Sequence, residues 1–518
     1  MKIKTEVLII GGGATGTGIA RDLSLRGIPT ILIEKGDLLS GASGRNHGLL
    51  HSGARYALTD PEAAKECIIE NGILKKIAPH CIEDTGGLFV GLPEDGSKLK
   101  DQFIKACKKA EIPTQIISRD EALFLEPNLN PNITFCIKVP DGAIDPFELV
   151  FDNKRDAEIH GGTFFLHTEA TQIIVEKNKV KRVLAKDLTN EDHYDIAASF
   201  VINATGAWVN HLLRYVGLKL PMALSKGSLL LTNKRLNQMV INRLRPPSDG
   251  DIIVPNKTVS ILGTTSLRSE EPNDFDVNPN EVSLLIEEGA KLIPSVKSTR
   301  FIRAYAGVRP LFMSEKKVDD REISRGFVLI DHERDGINNL ITITGGKLIT
   351  YRLMAEKTAD LICQKMGINK TCSTHLKPLP GVNRKKDLKD RLKSLDTSLS
   401  KKRTEILCDC ELVEREEFEE VFKNENLKDP LDILHRIRLA KGTCQGGFCL
   451  YRLLGVLIEL NKEIEEPVNI LKNLLEERWK GIRPILWGTS LQEEELLEGI
   501  YKGIFNLSSP SSLPMEDI

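Results

Sequence analysis

From Glu6 to about residue 365, short apolar runs alternate with amphipathic stretches and glycine punctuation, the pattern of an α/β enzyme core. Residues 7–10, 31–33, 201–203 and 340–344 read as buried strands. Across 381–403 the chain turns basic and poor in large apolar groups, which predicts a solvated linker or an exposed helix. Beyond it, two cysteine pairs flank the acidic stretch ELVEREEFEE, and leucine-rich helical patterns follow in ILKNLLEERW and LQEEELLEGIYKGIF. The last residues, SSPSSLPMEDI, read as frayed, and no internal repeat is present.

A length of 518 residues exceeds what one core covers, so two or three folded units are expected. Hydrophobic residues at 41% and charged residues at 28% exclude a disordered or fibrous chain. With 71 basic against 73 acidic residues there is no global positive field to hold nucleic acid, so any anion site is local. No apolar run reaches the roughly 18 residues of a membrane helix, and MKIKTEVLIIGGG enters a strand directly, which reads as structure and not as a signal peptide. Of ten cysteines, Cys408, Cys410, Cys444 and Cys449 form two tight pairs while the rest are scattered. A reducing, cytoplasmic compartment and a cysteine-ligated metal centre are expected.

In EVLIIGGGATGTGIARDL, Gly11, Gly13 and Gly16 form a GxGxxG between an apolar strand and a helical pattern. Gly11 permits the tight turn, Gly13 admits a pyrophosphate to the backbone, and Gly16 allows close helix–strand packing at an anion-attracting helix start. Glu34 ends the next strand, where an acidic side chain accepts hydrogen bonds from a ribose. NATGAW and ITITGGKLITYR add separated glycine turns, the latter at Gly345 and Gly346, and these favour FAD over NAD. A helix starting near Leu348 would direct its positive end at the flavin pyrimidine.

GGGATGTG, SGRNHGLLHSGARY, DGAIDP, NATGAW, AGVRPL and TGGKLITYR together resemble the FAD-dependent glycerol-3-phosphate dehydrogenases. SKGSLLL, INRLRPPSDGDIIVP, ILGTTS and RWKGIRPILWG are similar to the A subunit of the anaerobic type, and the resemblance runs along nearly the whole chain. It implies oxidation of sn-glycerol 3-phosphate to dihydroxyacetone phosphate, with electrons passed to the partners in a heterotrimer and so to quinone. It also implies a peripheral position on the inner face of the cell membrane. The implied architecture is an FAD-binding Rossmann-like domain (about 1–80, 145–220 and 325–370) interleaved with a substrate-binding β-sheet domain (about 81–144 and 221–324). A 371–403 linker, a 404–460 cysteine domain and a 461–518 helical extension complete it. FAD is expected on Gly11, Gly13, Ala14, Thr15, Gly16, Glu34, Lys35, Ser43, Gly44, Asn46, Ala170, Gly206, Gly346, Lys347 and Leu348.

A phosphate is best held by two or more arginine or lysine groups. The resemblance places that role on Arg55, Arg309, Arg325 and Lys347, with Arg309 and Lys347 also catalytic. Abstracting the hydroxyl proton needs a base that titrates near neutrality. His51 is the candidate, four residues before Arg55 and on its face if this stretch is helical; the alternatives are that His47 and His51 form a core pair or are metal ligands, the latter without a carboxylate partner nearby. Related membrane-bound enzymes carry a histidine after a lysine-glycine-serine segment where this chain has Leu229, so the base stays open. The cysteine pattern, one residue between the first pair and four between the second, is similar to the 2Fe-2S domain of bacterioferritin-associated ferredoxins, with zinc or inert thiols as the alternatives. An amine or imino-acid dehydrogenase, or a non-catalytic electron-transfer protein, are the competing readings.

Overall fold

The structure, a computed structural model, describes residues 1–96, 98–313, 326–383, 391–393, 405–425, 427, 429–460 and 467–507. Its first sheet is built on parallel strands in the spatial order Thr163–Phe165, Thr30–Ile33, Lys2–Ile10, His193–Asn203 and Leu340–Gly345. One face packs on the helices Ala14–Leu25 and Tyr351–Met366 through Ile9, Leu32, Ile202 and Ile341. The other carries Leu8, Ile10, Ile31 and Val201 onto the antiparallel ribbon Thr168–Glu176/Lys179–Asp187 and the short helix Val209–Leu213. Both faces are dry, so these strands read as unbroken apolar runs in the sequence.

A second sheet, of nine strands among the described residues, draws its strands from 87–139 and 222–312. Its longest ladder is antiparallel, Met222–Thr232 against Phe301–Phe312, and the helix Pro279–Leu292 covers it through Val282 and Leu285. The two sheets meet where the loops after Ile10, Asn203 and Gly345 face the paired mid-strand positions Gly227 and Gly307 and the strand end at Gly263.

The described residues between 405 and 507 form one helical unit. Leu407, Phe418, Leu453 and Leu457 share a core with Leu471, Leu474, Leu497 and Tyr501, so the boundary expected at 460 falls inside a packed unit: the leucine faces on its two sides bury each other. The expected start of the linker at 371 also moves. Leu379 is fully buried beside Tyr351 and Cys81, Arg21 donates to the Lys377 carbonyl at 2.7 Å, and Gly381 N–H donates to Asp152 at 2.9 Å. Residues 371–383 therefore belong to the first unit. Most of the basic stretch, 384–390 and 394–403, lies outside the described residues, and Arg391 pairs with Glu417 of the helical unit.

The helical unit docks through apolar contact, with Ile485 buried in the core of the second sheet and Trp487 against Phe301, and through charge. Buried Arg436 grips Asp37 through both terminal nitrogens, donates to Glu425 at 2.8 Å, and stacks 4.1 Å over the Phe151 ring. Asp37 also accepts from His435 at 2.6 Å, and these partners hold its carboxyl below the usual range against the opposing effect of burial. Within the helix Cys449–Leu460, Gly455 is exposed, and a Cβ there would meet no neighbour within 4 Å. Gly455→Ala is expected to stabilise this unit by about 0.5–1 kcal/mol, read as a raised denaturant midpoint with unchanged slope.

Candidate active site

The strand Lys2–Ile10 breaks at Gly11, whose φ is +116°, and a Cβ on Gly11 would lie 2.5 Å from the Ala204 carbonyl oxygen. A Cβ on Gly16 would lie 1.9 Å from the Gly11 oxygen, inside contact distance. Only glycines let the helix Ala14–Leu25 begin this close to the strand, and its N-terminal end then faces a cavity of about 1180 Å³. The volume exceeds an ordinary single-ligand pocket, and it leaves room for a two-ring cofactor with a small substrate beside it.

Of the residues expected to hold FAD, Gly11, Gly13, Ala14, Thr15, Glu34, Lys35, Ser43, Asn46, Ala170, Gly206, Gly346, Lys347 and Leu348 line the cavity. Gly16 and Gly44 do not; they stand behind it where backbone crosses backbone, Gly44 against the Leu39 oxygen. Ser43 Oγ accepts from Ala14 N–H at 3.0 Å, and Glu34 accepts from Gly12 and Gly36 N–H at 2.6 and 3.0 Å. Burial raises the Glu34 carboxyl despite those two donors. Lys35 turns outward to Glu169 at 2.9 Å. At the far end, a 3₁₀ turn Leu348–Thr350 leads into the helix Tyr351–Met366 and points its N-terminal N–H groups at the cavity.

His51, Arg55, Arg309 and Lys347 also line the cavity, on chain segments separated by up to several hundred residues. Arg325 lies outside the described residues. His51 and Arg55 do not share a helix face. Leu49–Leu50 is a strand paired with Gly142–Ile144, and the turn at Gly53, φ +91°, passes too close to the Ala64 oxygen for a side chain. They reach the cavity through this bend and the 3₁₀ turn Ala54–Tyr56.

The His51 ring lies 5.9 Å from His47 and 5.3 Å from Tyr56, and Lys347 Nζ lies 4.7 Å from the Tyr56 ring. His47 Nδ1 accepts from Leu49 N–H at 3.1 Å, whereas the His51 imidazole has no hydrogen-bond partner among the described residues. Burial first, then His47, Lys347 and Arg55, hold His51 well below the usual histidine range, and burial with Arg309 and Arg55 lowers His47 to about 4. Both rings are neutral at neutral pH, so His51 offers a lone pair. Arg55 is aimed by buried Asp251 at 2.7 Å, which Arg245 and Ser248 N–H hold in turn at 2.7 and 2.9 Å. Arg309 donates to the Ser225, Lys226 and Thr265 carbonyls and to Thr264 Oγ1, at 2.8–3.2 Å, so it adds positive charge more than an open fork. Tyr56 and Asp251 escape sequence reasoning: Asp251 is nearly two hundred residues from Arg55, and no local pattern marks the pair.

The four paired cysteines converge away from the cavity. Cys408 and Cys410 sulfurs are 3.7 Å apart, Cys410 and Cys444 3.8 Å, and Cys449 meets both Cys408 and Cys444. Hydrogen bonds from Cys410 and Cys449, with smaller help from backbone N–H groups of Glu411, Ala440, Gly446 and Phe448, lower Cys408 and Cys444 toward the thiolate, while Cys410 and Cys449 are raised. Leu412, Ala440 and Gln445 take left-handed conformations in these loops.

Residues 6–352 match the family described as DAO, FAD dependent oxidoreductase. Over 97% of its length the chain is 44% identical to the A subunit of anaerobic glycerol-3-phosphate dehydrogenase from Escherichia coli (strain K12), covering 97% of that protein. It is 39% identical across its full length to the A1 subunit of the Haloferax volcanii enzyme of the same name, covering 93% of it. The FAD-complexed glycerol-3-phosphate dehydrogenase of Bacillus halodurans shares the fold at a TM-score of 0.65, over 94% of this chain and 96% of that one, with 22% identity. Glycine oxidase of Geobacillus kaustophilus does so at 0.60, over 73% and 98%, with 20% identity. The matched span holds the strand, the glycine loop and the Gly345–Lys347 turn that build the cavity, and the chain belongs to the FAD dependent oxidoreductases of the DAO family.

Proposed function

We propose that the protein oxidises sn-glycerol 3-phosphate to dihydroxyacetone phosphate and passes the electrons through a 2Fe-2S centre to partner subunits and quinone. The observation that carries this reading is a neutral histidine beside three cations at the Lys347 end of a cavity whose other end fits a dinucleotide. Full-length similarity to proteins named as the A subunit of anaerobic glycerol-3-phosphate dehydrogenase supports the substrate. Arg55, pre-aimed by Asp251, and Lys347 hold the phosphate, and Arg309 adds charge beside them. His51 receives the C2 hydroxyl proton at a ring nitrogen as the C=O bond forms. Bound FAD supplies the acceptor for the hydride that leaves C2.

Cys408, Cys410, Cys444 and Cys449 suit a metal centre: four sulfurs with N–H donors around them match thiolate ligation, where such donors tune the potential. No helix among the described residues is long and apolar enough to cross a membrane, which fits quinone being reached through other subunits at the membrane's inner face. Anaerobic titration of the purified holoprotein tests the reading. Glycerol 3-phosphate is expected to bleach the flavin band while proline and sarcosine leave it; a chain that stays yellow with glycerol 3-phosphate sinks the proposal. Cys444→Ser is expected to lose bound iron, sulfide and the paramagnetic signal of the reduced cluster. Zinc in place of iron in the unaltered chain would refute the cluster assignment.

A further inference from the structure

Away from the cavity and the cysteine ring, another set of metal-type donors converges. The helix Tyr351–Met366 presents Glu356, and the segment returning over it carries Cys372 and His375. A Glu356 carboxylate oxygen, Cys372 Sγ and a His375 ring nitrogen all lie within 4.8 Å of one another, and all three residues are half-buried. Donors bound to a tetrahedral zinc-class ion at about 2.0–2.3 Å stand roughly 3.3–3.8 Å apart, so side-chain shifts of about an ångström close this set.

Four further observations favour a cation here. Asp22, on the helix Ala14–Leu25, places Oδ2 2.9 Å from Cys372 Sγ, a further carboxylate at the edge of the three-residue set. The His375 imidazole has no hydrogen bond or ion pair among the described residues. Arg352 Nη1 donates to Glu356 Oε2 at 2.6 Å and to Thr374 Oγ1 at 3.1 Å and stands 3.9 Å from Cys372 Sγ, while its other arms grip buried Glu70 at 2.8 and 2.5 Å; the second Glu356 oxygen is left for a metal. Through direct ion pairs, Asp22 and Asp360 face Arg26, and Glu70 and Glu356 face Arg352, four carboxylates against two guanidiniums.

We propose that Glu356, Cys372 and His375, with Asp22 at the edge of the set, form a structural site for a zinc-class divalent cation. The mixed sulfur, nitrogen and carboxylate set selects zinc over magnesium or calcium, which take oxygen ligands. The ion clamps the 371–383 segment to two helices whose N-terminal ends face the cofactor cavity. Binding releases the Cys372 proton to solvent, because the thiol is the donor to Asp22 in the metal-free arrangement.

The test uses the full chain with its flavin and iron. Wild type, Cys372→Ser and His375→Ala are equilibrated with zinc, desalted and assayed for zinc, iron and flavin. Wild type is expected to retain about one more zinc per chain than either variant, at equal iron and flavin. With cobalt as the probe, a thiolate charge-transfer band is expected in wild type and absent from Cys372→Ser. Zinc should raise the thermal midpoint of wild type and leave that of His375→Ala unmoved. Equal zinc retention in all three proteins, whether high or nil, overturns the proposal.

Discussion

A Gly16→Ala chain is expected to fold and yet to purify with less than about a tenth of the wild-type flavin. The added methyl would stand 1.9 Å from the Gly11 carbonyl oxygen, a backbone atom, so strand end and helix start must part by about an ångström. Overpacking of this kind costs about 1–3 kcal/mol of stability, which a domain of this size tolerates. The pyrophosphate site tolerates it less, since misplacement by about an ångström typically costs about a hundredfold where several donors must converge. The ratio of flavin to protein absorbance reads the effect, with Gly455→Ala as the control for a glycine lost where space is open. A Gly16→Ala protein that keeps its full flavin complement would show that the loop does not hold the cofactor.

Replacing His51 by glutamine is expected to lower kcat with glycerol 3-phosphate by about 10²–10⁴ while flavin content stays unchanged. Glutamine keeps a polar group at the position but takes up no proton near neutrality. The wild-type pH profile carries the same assignment. Burial and the nearby cations lower His51, so kcat/KM is expected to fall on the acid side with a midpoint below about 6.5. A bound phosphate offsets Lys347 and Arg55, two of the groups that depress His51, and the acid limb of kcat should therefore lie at higher pH than that of kcat/KM. A variant that retains full turnover with an unchanged acid limb would move the base elsewhere. Stability follows the same sign. His47 and His51 both titrate lower folded than unfolded, so between about pH 6.5 and 4 the unfolded chain takes up protons that the folded chain refuses, and stability drops as pH falls through that window.

Parts of this architecture were legible because local spacing encodes them. The strands at 7–10, 31–33, 201–203 and 340–344 announced themselves as apolar runs since both faces of the parallel sheet are covered. The C-terminal boundaries were misplaced for the complementary reason. Polar residues at 384–403 signal solvent, but 371–383 is held by Leu379 and by side chains of Arg21 and Asp152, which sequence spacing does not reveal. The helices on both sides of residue 460 each show one apolar face, and nothing local says that those faces meet.

By itself the sequence determined the glycine loop and the two cysteine pairs, because each depends on residues a few positions apart whose backbone or ligand chemistry admits few alternatives, and it marked Glu34 by its place at the end of the next strand. Only the tertiary structure decided that Arg55 is aimed by Asp251, that Arg309 is tied to backbone carbonyls, and that His51 is a neutral imidazole facing Tyr56 instead of a helix neighbour of Arg55. The reason is physical: burial and charge at a point are set by every segment that folds against it, and those segments are drawn from distant parts of the chain.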